Sequence, residues 1–251
     1  MNTQAARASR PAPVRAQAAA VFRREIYAYF LSPMTYLVWV VFLVGAGYLF
    51  AASLRDGAPA SLDPTFLNLG ALLLFVIPLL TMRLLAEEHR LGTLEVLLTD
   101  PVDEAVVVAG KYFASLALFL IFLLPTGVFP AVLARVGSPD PGPVLGGYVG
   151  LVFIGAFYLA VGLLASAATL HQVAAAALTF TVLLVLWLLG AFADGMVPGR
   201  ARDAVEYLST FTRFAPFRRG ILDTRALAYC TSLTVLCLFV AARILALRRL
   251  R

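Results

Sequence analysis

VLGGYVGLVFIGAFYLAVGLLASAATL, residues 144–170, runs for 27 residues without one charged side chain. Its apolar residues do not alternate with polar ones, and about 20 of them suffice for a helix to cross the hydrocarbon core of a bilayer. Backbone groups in lipid must be hydrogen-bonded internally, which leaves helices or closed barrels, and this pattern selects the helix. Five more runs of this kind lie at 34–53, 65–85, 110–136, 173–193 and 224–247. The composition agrees: 61% of the 251 residues are hydrophobic and 14% charged, with a mean hydropathy of +0.90. That is too little polar side chain to coat a soluble globule of this length. The expected fold is all-α, a bundle of six transmembrane helices.

An even number of spans puts both termini on one side. Of the 20 Lys and Arg residues, twelve fall on that side and eight on the other, six of the eight within residues 200–225. Long loops weigh less than short ones in setting topology, so the bias places both termini in the cytoplasm of a bacterial inner membrane. The net charge of +6 reads as juxtamembrane arginines meeting anionic headgroups rather than as a nucleic-acid surface. Residues 1–13 read as a flexible cytoplasmic tail, with no cleavable signal before the first span. Residues 14–31 read as an amphipathic helix in the membrane interface, with Ala18, Phe22, Ile26 and Tyr29 or Phe30 recurring at helical spacing and Arg15, Arg23, Arg24 and Glu25 as its polar character. The other reading of this segment is an extension of the first span. Ser32-Pro33 turns the chain into the bilayer.

Catalytic and metal chemistry find no constellation. Cys230 and Cys237 sit seven residues apart on one helix face, too far for a disulfide, and read as packing residues. The two histidines, His89 and His171, both fall at the membrane edge, and no His-Glu-x-x-His occurs. Glu87-Glu88 lacks the Arg that a prenyl-protein protease pattern wants at position 92, which is Gly. Ser115 and Ser166 have no intramembrane histidine partner. Gly110-Lys111 is not the end of a phosphate loop, because positions 105 and 112 are Ala and Tyr. Lys111, the only lysine, reads as an interfacial anchor at the start of the third span. The central turns of the spans are almost free of ionisable groups, which argues against an ion or proton relay.

The polar exception is MRLLAEEHRLGTLEVLLTDP, residues 82–101. Together with Pro78-Leu79-Leu80-Thr81 just before it, Gly110-Lys111-Tyr112, Gly146-Gly147-Tyr148-Val149-Gly150 and residues 211–225, it resembles the permease subunits of ABC-2-type transporters. The similarity is to the gliding-motility and nitrous-oxide-reductase-maturation kind in particular, and it extends from about residue 20 onward. The most specific element is Glu-Glu-x-Arg-x-Gly-Thr-x-Glu at 87–95; His89 departs from the basic residue expected there.

The resemblance implies a type V exporter-like permease domain over 32–251, with a cytoplasmic coupling segment at 84–101 and an external amphipathic loop at 194–223. It implies that Glu87, Glu88, Arg90, Gly92, Thr93 and Glu95 dock on a cytoplasmic ABC ATPase dimer, that ATP and Mg belong to that ATPase, and that this chain binds no cofactor and is not an enzyme. A second permease subunit, identical or different, would complete the pathway, and a periplasmic envelope partner is a further expectation. The implied function is coupling of ATP hydrolysis to transport or conformational work; the alternative is a gliding-type scaffold that transmits force without moving solute. Local chemistry agrees with docking. Leu91, Leu94, Leu97 and Leu98 make an apolar stripe, the charges between them can set register on a partner, Gly92 permits close approach, and Pro101 closes the segment. A surface helix lying on lipid is the other reading, opposed by the acidic excess of Glu87, Glu88, Glu95, Asp100, Asp103 and Glu104.

In the external loop, Val205, Leu208, Phe211, Phe214 and Phe217 are interspersed with arginines, the pattern of short amphipathic helices at the outer interface. The resemblance implies a re-entrant, gate-like cap. Two roles stand for Arg213, Arg218, Arg219 and Arg225: binding an anionic headgroup or partner, or anchoring at the interface. Asp223 is expected to cap the sixth span, and residues 137–143 to form a rigid turn. Gly146, Gly150, Gly155 and Gly162, and the alanines at 174–177, are expected at helix contacts, whether for packing or for transport. Pro78, Pro125 and Pro130 are expected to bend the second and third spans.

Overall fold

The computed structural model describes residues 14–55, 61–86, 103–196 and 208–249. Among the described residues there are helices and no strand. In chain order the α-helices are α1 (Val14–Leu31), α2 (Pro33–Arg55), α3 (Asp63–Thr81), α4 (Glu104–Leu123), α5 (Val128–Val136), α6 (Pro141–Ala168), α7 (Gln172–Met196), α8 (Thr210–Arg218) and α9 (Thr224–Arg249). Six segments are long and apolar enough to cross a membrane: α2, α3, α4 with α5, α6, α7 and α9. The fold is the all-α, six-span bundle expected from the sequence.

The boundaries shift where local chemistry overrides hydropathy. The second span stops at Thr81, and residues 82–85 turn rather than extend it. The helix of the fifth span, α7, runs on to Met196. Asp140 ends the turn before α6 by accepting the Gly142 N–H at 3.0 Å, with Pro141 at the first helical position.

The third span is interrupted. A 3₁₀ turn, Leu124–Gly127, separates α4 from α5 at the first proline. The second, Pro130, has no N–H to give to the Thr126 carbonyl, and Tyr148 Oη on α6 donates to that carbonyl at 2.6 Å. A neighbouring span thus satisfies the acceptor that proline leaves open.

Helix α6 is the hub, packing on α3, α4, α7, α8 and α9. Its glycines explain why. A methyl group on Gly155 would occupy the Phe119 ring of α4, and one on Gly162 would occupy Thr81 of α3, so these backbones approach as only glycine allows. The alanines at 174–177 do not behave alike: Ala175 is fully buried, but Ala174 and Ala177 face outward. They are not a continuous contact stripe within the chain. Around the hub, α2 and α9 expose broad apolar faces, with Leu37, Val41 and Val44 on one and Val235, Leu236 and Phe239 on the other, as helices bathed in lipid do.

Candidate functional site

Polar contacts gather at the two ends of the bundle. At the end where α1 enters and α9 finishes, α1 lies against the first turns of α4. The packed face of α1 carries Ala18, Val21, Glu25 and Tyr29, all partly buried, while Phe22 is 36% exposed. The sequence groups Phe22 with Ala18 and Tyr29 on the apolar side of an interfacial helix and counts Glu25 as polar; in the structure Glu25 lies on the face toward α4, and Phe22 is exposed. Two features of α4 force this. Gly110 leaves room for the Val21 side chain, and the next residue, Lys111, is 2% exposed with its Nζ 2.8 Å from Glu25 Oε1. Lys111 is therefore no snorkelling anchor but half of a buried ion pair, and Glu25 must face it. Burial, with the Glu25 carboxylate nearby, pushes the Tyr29 phenol above its ordinary pKa.

The chain leaving α3 is held at the same end. Ser166 Oγ, near the close of α6, accepts the backbone N–H groups of Leu85 and Ala86, each at 3.0 Å. Arg83 Nη1 donates to Ser32 Oγ at 2.9 Å, tying this turn to the joint between α1 and α2. Downstream, Asp103 caps α4 by accepting the Ala105 N–H at 3.0 Å. Glu87, Glu88, Arg90, Gly92, Thr93 and Glu95 all lie between these two roots, outside the described residues. Arg248 Nη2 donates to the Ala168 carbonyl at 3.0 Å, bringing the end of α9 to the end of α6.

At the opposite end, α8 is inserted between α6, α7 and α3. Ser209 starts it, accepting the Thr212 N–H at 3.3 Å. Phe214 and Phe217 are fully buried, and a methyl group on Gly150 would meet the Phe214 ring and Phe217 Cβ. Phe211 meets Trp187 edge to face, centroids 5.4 Å apart. The turn after the helix closes at Gly220, whose φ of 80° an L side chain rarely adopts.

The arginines of this region divide. Arg218 is 9% exposed, with Nη1 2.9 Å from Asp63 Oδ2 at the start of α3; the same Nη1 donates to the Asp63 carbonyl at 3.3 Å. Burial lowers the pKa of Arg218, and the Asp63 charge opposes that shift. Arg213 lies over the Tyr229 ring, 5.6 Å from its centroid. Arg219 and Arg225 are exposed. Asp223 accepts the Arg225 N–H at 2.9 Å and caps α9.

Six apolar spans with a short helix inserted among them describe a multi-pass membrane protein. The model of the ABC-2 family transporter protein matches residues 60–247. The chain belongs to the ABC-2 transporter family. No curated protein matches it. As an ABC-2 permease it is a multi-pass membrane subunit of an ABC transporter, and the family implies an ABC ATPase as partner in general.

Four residues tie helices of this ABC-2 permease together without being recognised as such in the sequence: Glu25, Asp63, Lys111 and Ser166. A signal existed for one of them. A single lysine among 19 arginines, set seven residues inside a span, is an unusual choice where topology alone needs only charge.

Proposed function

We propose that this ABC-2 permease couples ATP hydrolysis on a separate cytoplasmic ATPase dimer to movement of its bundle, through the segment at 84–101, and that its termini lie in the cytoplasm of a bacterial inner membrane. The observation that carries the proposal is the double rooting of that segment. Its upstream root is held to α6 by Ser166 and to the α1–α2 joint by Arg83; its downstream root begins α4, which is held to α1 through Lys111 and Glu25. A push on the segment is then passed to the hub helix and to α1 instead of being absorbed by a loose tether.

In this reading Glu87, Glu88, Arg90, Gly92, Thr93 and Glu95 contact the ATPase, and ATP with Mg stays on that partner. The helix α8, with Phe211, Arg213, Phe217 and Arg218, forms the outer gate, and the Arg218–Asp63 pair is the contact that opening would separate. Arg219 and Arg225 face outward, toward headgroups or an envelope partner. A second permease subunit completes the pathway.

The test is affinity purification of the tagged chain from its native membrane, followed by ATP turnover in vesicles. Recovery of a Walker-motif ATPase that is lost with Glu88→Arg or Gly92→Trp supports docking. Retention of the ATPase with turnover no longer responsive to the permease in Ser166→Ala supports transmission through the root. Absence of any ATPase under conditions that preserve other complexes overturns the reading. ATP hydrolysis that no candidate solute stimulates, with an envelope protein recovered instead, favours the gliding-type scaffold.

A further inference from the structure

The turn that joins α8 to α9 is apolar on its outside. Its sequence, Arg219-Gly220-Ile221-Leu222-Asp223, sets two large aliphatic residues side by side where turns usually carry polar ones. Both face outward, Ile221 59% and Leu222 58% exposed. The turn is not a loose loop. The N–H groups of Arg219 and Ile221 both donate to the Pro216 carbonyl, at 3.1 and 3.0 Å. Gly220 N–H donates to the Phe217 carbonyl and Asp223 N–H to the Ile221 carbonyl, each at 3.0 Å. The Asp223 side chain takes the Arg225 N–H at 2.9 Å. Backbone paired in this way asks little of water, which is the condition hydrocarbon imposes on a segment that enters it.

The position of the turn agrees. The spans formed by α6 and α9 begin here, at Pro141 and Thr224, so the turn lies at the boundary of the bilayer. It is fixed at that height. Gly220 packs so closely on Gly142 and Pro143 that a methyl group would strike their backbone, and Arg218, just before the turn, is held to Asp63. Arg219 and Arg225 flank the aliphatic pair, and both are exposed. Asp223, the acid between them, is committed to the cap of α9. An aliphatic centre with long cations at its margins is the pattern of a segment lying in a membrane interface, where arginine stems follow apolar surface and guanidiniums reach phosphate.

We propose that residues 219–225 form a wedge in the leaflet at this end of the bundle: Ile221 and Leu222 enter the acyl region, and Arg219 and Arg225 meet the lipid phosphates above them. A soluble envelope partner fits this surface less well, because it would have to cover the aliphatic pair at a level where lipid already surrounds the spans. Through Gly220 and its seat on α6, the wedge ties the end of α8 to the leaflet. The inference chooses lipid as the neighbour of Arg219 and Arg225 and stands without ATPase docking.

The test is spin-label depth measurement on the full chain in vesicles of phosphatidylethanolamine and phosphatidylglycerol, with Cys230→Ala and Cys237→Ala as background. Labels at Ile221→Cys and Leu222→Cys should favour collision with oxygen over a water-soluble nickel chelate and lie about 5–10 Å below the phosphates. Labels at Arg219→Cys and Arg225→Cys should sit at phosphate level. A label at Ser138→Cys, exposed in the turn before α6, should favour the chelate. Leu222→Trp checks the depth in the chain with its native cysteines: after subtraction of the Trp39 and Trp187 signal, lipids brominated on the acyl chain should quench it more than acrylamide does. Chelate access at positions 221 and 222 equal to that at 138 would overturn the proposal. So would exclusion of both reagents, which signals a protein neighbour, or stronger quenching of Leu222→Trp by acrylamide.

Discussion

The two ends of the bundle are closed by different chemistry. At the terminal end, helices are joined by polar side chains reaching across gaps: Glu25 to Lys111, Arg83 to Ser32, Ser166 to two backbone N–H groups. A cavity persists between them. At the opposite end, α8 is pressed into α6 with backbone against backbone, and the Arg218–Asp63 pair at its margin is partly wet, with the Asp63 side chain 44% exposed. The difference teaches where motion can start. Directional polar contacts can be exchanged between two arrangements, whereas a close-packed seam gives way all at once.

Breaking the terminal end hardest means removing one member of its buried ion pair. Glu25→Ala should cost about 3 kcal/mol, the lower end of the range for stripping a partner from a buried charge, because Lys111 has further interactions. Thermal unfolding in detergent should show the loss, and the double variant Glu25→Leu with Lys111→Met should recover most of it. At the other end, Gly146→Val would set its new atoms on the Phe217 carbonyl and on the Gly220 backbone. Backbone cannot step aside as a side-chain tip does, so overpacking of about 1–3 kcal/mol is expected, with α8 exposed to protease. No such exposure would mean that the seam is looser than its geometry.

Ser166→Ala is intermediate. Two buried N–H groups lose their acceptor, a cost of about 1–3 kcal/mol. The sharper readout is coupling, which should fall while Ser166→Thr, keeping a hydroxyl, retains it. Smallest is Asp63→Asn, below about 1 kcal/mol given the exposed carboxylate, with a gap from wild type that shrinks as salt rises. If Asp63→Asn changed transport rate more than stability, the pair would be a latch and not a brace.

What the sequence revealed and what it hid divide along the range of the interaction. Spans, caps and glycine contacts depend on neighbours within a few residues or on burial as such. Hence six apolar runs, Asp223 as a cap, and Gly146, Gly150, Gly155 and Gly162 at contacts were legible. The ion pairs join residues 86 and 155 positions apart, and no local pattern announces such a match. Which face of α1 meets α4 was hidden for the same reason: Gly110 and Lys111, on another helix, receive Val21 and Glu25. The arginines of residues 213–225 looked alike in sequence because charge says nothing of direction; a short helix then turned Arg218 inward and left Arg219 outside.

The Glu25–Lys111 pair also bears on how the protein is made. Lys111 sits about 10 Å into its span, at 1.5 Å per residue from Glu104. A lysine entering hydrocarbon alone resists translocon-mediated insertion by as much as about 2.5–3.5 kcal/mol at the centre of the bilayer, less toward its edge. The ribosome delivers Glu25 well before Lys111, so α1 can wait at the membrane surface and neutralise the lysine as it arrives. Chain order thus makes the carboxylate available before the lysine that needs it.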